Sequence, residues 1–208
     1  MRILRKKIGA EPQFFLISIF LIFIIILSYI FGLFNFEINT ILLHISIFLL
    51  GYSFIFRKSN KQTIKHIIQI RSIKEIVIYV VFGFFALIFY LFLLNLIFGT
   101  IGLNDSDRVI EKIEMFTIPV IFAALFLGPI SEEIFFREFL TNRIGIIPSS
   151  LMFGIAHIAY GSIAQIIGAV GIGIILAYVL KKSGSVLPCI LIHFLYNLFV
   201  FSLFWWFV

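Results

Sequence analysis

Ile76 to Phe98 reads IVIYVVFGFFALIFYLFLLNLIF, 23 positions without one charged side chain. As a helix rising about 1.5 Å per residue this run reaches about 35 Å, enough to cross a hydrocarbon core of about 30 Å. The rest of the chain repeats the pattern. Hydrophobic residues make up 62% of the 208 positions, charged residues only 12%, and mean hydropathy is +1.18. Soluble domains carry about twice that charged share. A soluble fold of this size has too little interior to hide so much apolar surface, whereas lipid acts as solvent for the outer faces of helices. The 28 Phe residues suit such faces. The fold class expected is all-α, a polytopic integral membrane helical bundle.

Working outward from this run, seven apolar segments stand out: 14–34, 41–56, 76–98, 116–140, 149–160, 163–180 and 187–204. They predict about seven transmembrane helices. The fifth is short enough to be tilted, buried or only partly spanning. Met1 to Lys7 resembles the basic start of a signal peptide. The run that follows is too long for one and is expected to stay as a first span. Asn60–Lys74 places Ile64, Ile67 and Ile68 on one face, which fits an interfacial helix or a basic surface linker. Trp205 and Trp206 suit an interfacial aromatic belt. Cys189, the single cysteine, forms no intrachain disulfide and is expected to be a small apolar residue in a helix.

The net charge of +6 lies in short segments beside apolar runs. That placement argues for a membrane face and against nucleic acid as a partner. With a cytosolic N-terminus, thirteen basic residues fall on cytosolic segments, including Arg57, Lys58, Arg143, Lys181 and Lys182. Only Arg108 and Lys112 fall on the other side, among acidic neighbours. The asymmetry predicts a multi-pass protein of the cell membrane with its N-terminus in the cytosol.

Ionisable groups inside a bilayer are costly and usually mark function. Here they cluster. Glu132, Glu133 and Arg137 lie on the fourth segment, His157 on the fifth, and His193 and Asn197 on the seventh. Glu133 and Arg137 are spaced to pair along one face, and His193 shares a face with Asn197. Counting residues inward from the cytosolic ends puts Glu132, His157 and His193 about 10–13 Å deep, so one site open to the cytosol is expected. Such a set is hydrolytic. Glu132 takes a proton from water, and His157 shares that water or holds a metal. His193 and Asn197 stabilise an oxyanion. Arg137 neutralises Glu133. His44 has no partner motif and reads as packing or interfacial, and His66 as a cytosolic surface residue. Ser131 and Ser162 lack a base at sensible spacing. Gly168, Gly171 and Gly173 are read as permitting close helix packing.

At Glu132-Glu133-x-x-x-Arg137, Phe153-x-x-x-His157 and His193-x-x-x-Asn197 the chain resembles the CAAX-protease and bacteriocin-processing (CPBP) family of intramembrane proteases, also called Abi. The resemblance covers about 116–197 and implies an endopeptidase that cleaves membrane-associated peptides or protein tails. It implies water activation by Glu132 and His157, with His193 and Asn197 at the oxyanion. Residues 1–115 would supply N-terminal transmembrane helices and a basic loop, and 116–208 the catalytic core, in one structural domain. Two variants stay open. One is metal-free. The other holds Zn2+ through Glu133, His157 and His193, with Glu132 as base. Lipid and a peptide or protein substrate are the partners expected. Bacteriocin or signal-peptide maturation and self-immunity are the settings implied. A non-catalytic scaffold or immunity protein, and an ion transporter, are the rival readings. Both leave the joint presence of the carboxylate, two histidines and amide at one depth without a reason.

Overall fold

The computed structural model describes residues 12–55 and 72–207. The basic segments at 1–11 and 57–71, His66 and most of the Asn60–Lys74 stretch lie outside the described residues. All seven apolar segments contain helix, and there is no strand among the described residues. The helices are α1 (Pro12–Phe31), α2 (Phe36–Ile55), α3 (Ile73–Thr100), α4 (Asp107–Glu114), α5 (Ile118–Ile144), α6 (Ile146–Ala156), α7 (Ile163–Ser183) and α8 (Leu187–Phe207). Four of them, α3, α5, α7 and α8, are long and apolar enough to cross a membrane. The apolar stretches Gln13–Ser28, Glu37–Ser53 and Ile146–Tyr160 are shorter.

The bundle is apolar on both its inner and outer sides. On α3, Phe82, Phe85, Phe89 and Phe92 recur every three or four residues and are all exposed. In water that stripe would be an aggregation surface, and in a bilayer it is the lipid-facing side. The inward side of α3 carries Gly83 and Leu87, which meet a core of Leu176, Val179, Cys189 and Ile192 from α7 and α8. Cys189 is buried there as a small apolar residue. α1 pairs with α2, α7 packs on α3 and α6, and α2 lies along α5. Close approach depends on missing side chains. A Cβ on Gly171 would strike the Tyr90 ring, and one on Gly154 would strike Val170 and the carbonyl of Ile166. Gly173 stands against Ser150 in the same way.

α5 is irregular in a way periodicity does not show. It widens to π-helix at Ala123–Leu127 and again at Glu133–Thr141, around one α turn at Gly128–Glu132. Insertions of this kind often sit at functional sites. Gly145, with φ 92° and ψ 176°, then reverses the chain into α6 in a conformation reserved for glycine. α6 has only 11 residues, about 16 Å at 1.5 Å per residue, about half the thickness of a hydrocarbon core. It ends in a 3-10 turn at Ile158–Tyr160.

α4 was not foreseen. Its apolar Val109, Ile110 and Ile113 alternate with Asp107, Arg108, Glu111, Lys112 and Glu114, which makes it amphipathic. Two contacts fix it beside the start of α7. Arg108 donates to the Gly161 carbonyl at 2.9 Å. Asp105 accepts from the Ser162 hydroxyl and from the amides of Ile163 and Ala164. Residues 101–117 and 157–162 therefore share one end of the bundle, and Gly145 and Ser183–Ser185 lie at the other.

Candidate active site

The Gly128–Glu132 turn and the π turn after it put two adjacent carboxylates to different uses. Glu133 is fully buried and locked in place. Its Oε2 lies 3.0 Å from Arg137 Nε and its Oε1 2.9 Å from His193 Nδ1. Arg137 is itself fully buried. The Arg137 contact has ion-pair distance without hydrogen-bond alignment, and neither terminal guanidinium nitrogen has a hydrogen-bond partner among the described residues. The cation instead lies 4.3 Å over the Phe153 ring, an electrostatic contact that strengthens away from water. Phe153 of the Phe-x-x-x-His motif thus supports Arg137 directly.

Glu132 is held more loosely. Its Oε2 is buried without a hydrogen-bond partner among the described residues, and His193 Nε2 lies 4.0 Å from it. Its Oε1 is 3.6 Å from His44 Nδ1. Glu132, His44 and His157 line one cavity of about 250 Å³ together with Thr40, Leu43, Ile47, Lys112, Phe116, Phe136, Ala156, Ala159 and Tyr160.

Partners fix the histidine tautomers. His157 Nδ1 is 2.8 Å from the Phe153 carbonyl. A carbonyl only accepts, so Nδ1 carries the hydrogen and Nε2 of the neutral ring keeps a lone pair. His193 Nδ1 likewise donates to the Glu133 carboxylate, which leaves Nε2 on the Glu132 side. Asn197 gives one amide hydrogen to the Ala124 carbonyl at 2.8 Å, inside the first π turn of α5. It ties α8 to α5 and is not among the residues lining the cavity.

Glu132, Glu133, Arg137, His157 and His193 therefore come together, and Asn197 stands at their edge. The sequence reading missed His44. Its signal was a lone histidine in an apolar helix, but its partners, Ser131 and Glu132, are 87 and 88 positions away in the chain. Ser131 gives its hydrogen to the Gly128 carbonyl and Ser162 gives its own to Asp105, so neither hydroxyl is activated.

The depth expectation needs correction. α5 runs on to Ile144, so Glu132 lies about 18 Å from that end at 1.5 Å per residue. His157 sits at the far end of the half-length α6, next to the turn that meets α4. The cavity reaches Lys112, Phe116 and Tyr160, at the end carrying 101–117. Arg143, Lys181 and Lys182 lie toward the other end, near Gly145 and Ser183–Ser185.

The zinc variant takes Glu133, His157 and His193 as its ligands. Among the described residues no group of three His, Cys, Asp or Glu side chains is arranged to hold a metal ion. Glu133 already faces Arg137 and His193 with its two oxygens. As arranged, these residues do not fit the ion.

Residues 114–199 match the model of the Rce1-like family, type II CAAX prenyl endopeptidases. No curated protein and no solved structure matches the chain. The matched stretch holds both carboxylates, Arg137, His157, His193 and Asn197, and over it the chain is similar to the CAAX-protease (CPBP) family of membrane endopeptidases.

Proposed function

We propose that the chain hydrolyses peptide bonds in membrane-associated peptides or protein tails, with water activated between Glu132 and His157 and no metal. One observation carries this reading. Among the described residues Glu132 Oε2 is a buried acceptor without a donor, and it stands beside a cavity lined by His157, whose Nε2 is left unprotonated by the Nδ1 hydrogen bond. Water hydrogen-bonded to His157 Nε2 gives its proton to Glu132, and the hydroxide adds to the scissile carbonyl carbon.

The oxyanion needs donors. The resemblance points to His193 and Asn197, and Asn197 keeps one amide hydrogen that is not given to Ala124. Collapse of the tetrahedral intermediate breaks the C–N bond. Glu132 returns the proton to the leaving amine, so one water is consumed per bond cut. Glu133 and Arg137 touch no substrate and hold His193 and the π turn. A cavity of about 250 Å³ is smaller than the roughly 300–1,000 Å³ of ordinary ligand pockets. It suits one or two side chains of an extended peptide, and its apolar lining selects apolar ones. Maturation of a membrane-bound peptide, or self-immunity against one, is the setting that fits.

The test is cleavage of a reporter peptide library by purified protein in liposomes. Wild type, Glu132→Gln and His193→Ala are compared with and without a strong chelator. The expected loss is at least about 100-fold in kcat for Glu132→Gln, with no effect of the chelator. Undiminished cleavage by Glu132→Gln would sink the reading, and chelator inhibition would restore the zinc variant.

A further inference from the structure

His44 lies on α2, far outside the matched residues 114–199, yet its ring reaches the carboxylate at the centre of the site. Its Nδ1 is 3.4 Å from Ser131 Oγ and 3.6 Å from Glu132 Oε1. Ser131 donates its own hydrogen to the Gly128 carbonyl at 3.0 Å, so its oxygen faces His44 as an acceptor. Both groups in front of Nδ1 therefore accept, and Nδ1 must carry the hydrogen. Gly128 borders this ring, and a Cβ there would stand 3.4 Å from His44 Cε1, at ordinary van der Waals distance. Both side chains are nearly buried, at 12% and 14% exposure, so the contact is shielded from bulk water. Distances slightly long for a hydrogen bond are usual in free enzymes and shorten when substrate binds.

We propose that His44 is a positioning residue for Glu132. Its Nδ1–H holds Oε1 in place, so that Oε2 is the oxygen presented to water. The site is then assembled from two parts of the chain. The family core provides the base, and α2 provides the group that orients it. This inference rests on the endopeptidase reading, and the experiment separates the two.

Wild type, Glu132→Gln, His44→Phe and His44→Asn are assayed for kcat and KM on one cleaved peptide, with thermal unfolding as a check on folding. Phe keeps the ring volume and loses the donor. Asn returns an N–H near the Nδ1 position. His44→Phe is expected to lower kcat by about 10- to 100-fold, the usual effect of losing an orienting partner, while KM stays within about twofold because ground-state binding is untouched. His44→Asn is expected to recover most of that loss. If Glu132→Gln is inactive while His44→Phe matches wild type, the positioning role is overturned and the endopeptidase stands. Equal impairment of His44→Phe and His44→Asn also overturns it and makes His44 a packing residue. Full activity of Glu132→Gln removes the endopeptidase reading and this inference with it.

Discussion

Glu133 and Arg137 form the part of the site least able to tolerate change. Both are fully buried, and the guanidinium relies on one carboxylate and the Phe153 ring. Removing one member leaves the other as an uncompensated charge, which costs about 3–5 kcal/mol. Arg137→Gln should therefore lower stability by about that much, read as the unfolding midpoint in detergent. The double change Glu133→Gln with Arg137→Gln should cost less than the sum of the single changes, because no charge is left unpaired. At this scale the sequence was largely legible. The spacing of Glu133 and Arg137 announced their pairing, and three motifs on three helices announced the cluster. His44 was not legible, because nothing near it in the chain hints at Ser131 or Glu132. The position of Asn197 against Ala124 was hidden as well, since its acceptor is a backbone carbonyl within a π turn.

Helices show the same division. Long apolar runs located α3, α5, α7 and α8 to within a few residues, because length and hydropathy decide spanning. The π turns of α5 escaped, since an extra backbone residue per turn leaves no mark on composition. α4 escaped because its charges drew attention away from Val109, Ile110 and Ile113, which share its apolar face. Two predictions belong here. Gly154→Val would drive a side chain into Val170 and the Ile166 carbonyl. It should destabilise the fold by about 1–3 kcal/mol as overpacking does. It should also cut cleavage by more than about tenfold, because His157 lies three positions on and small misplacements are costly. Gly99→Ala, with nothing within 4 Å, should be neutral or up to about 1 kcal/mol stabilising. The second concerns Asp105. Burial alone would push its carboxyl up, but the Ser162 hydroxyl and the Ile163 and Ala164 amides outweigh it and hold the carboxyl below its ordinary 3.8. A depressed folded value gives stability that is complete above the ordinary value and fades as pH falls through the lower one. The thermal midpoint should therefore drop as pH falls below 3.8, and drop less in Asp105→Asn.

For the molecule as a whole, the open matter of geography is which side of the membrane receives the cavity mouth. The charge asymmetry predicts that residues 101–117 lie outside the cytosol, so Ser106→Cys should react in intact cells with a membrane-impermeant thiol reagent and Asn142→Cys should not. Cys189 is buried and gives no background. The reverse labelling would turn the mouth toward the cytosol and show that the charge rule fails here. The apolar runs announced the bundle and the motifs its polar cluster, whereas the depth of Glu132 depends on how far α5 runs beyond it, to Ile144. α6 stops at Ala156, and Ala156, His157, Ala159 and Tyr160 at its end line the cavity. One wall of the site is thus set by where a single helix ends. An insertion of five or six helix-forming residues after Ala156 would move that wall. A change in chain length could then close the cavity while leaving every residue of the three motifs in place.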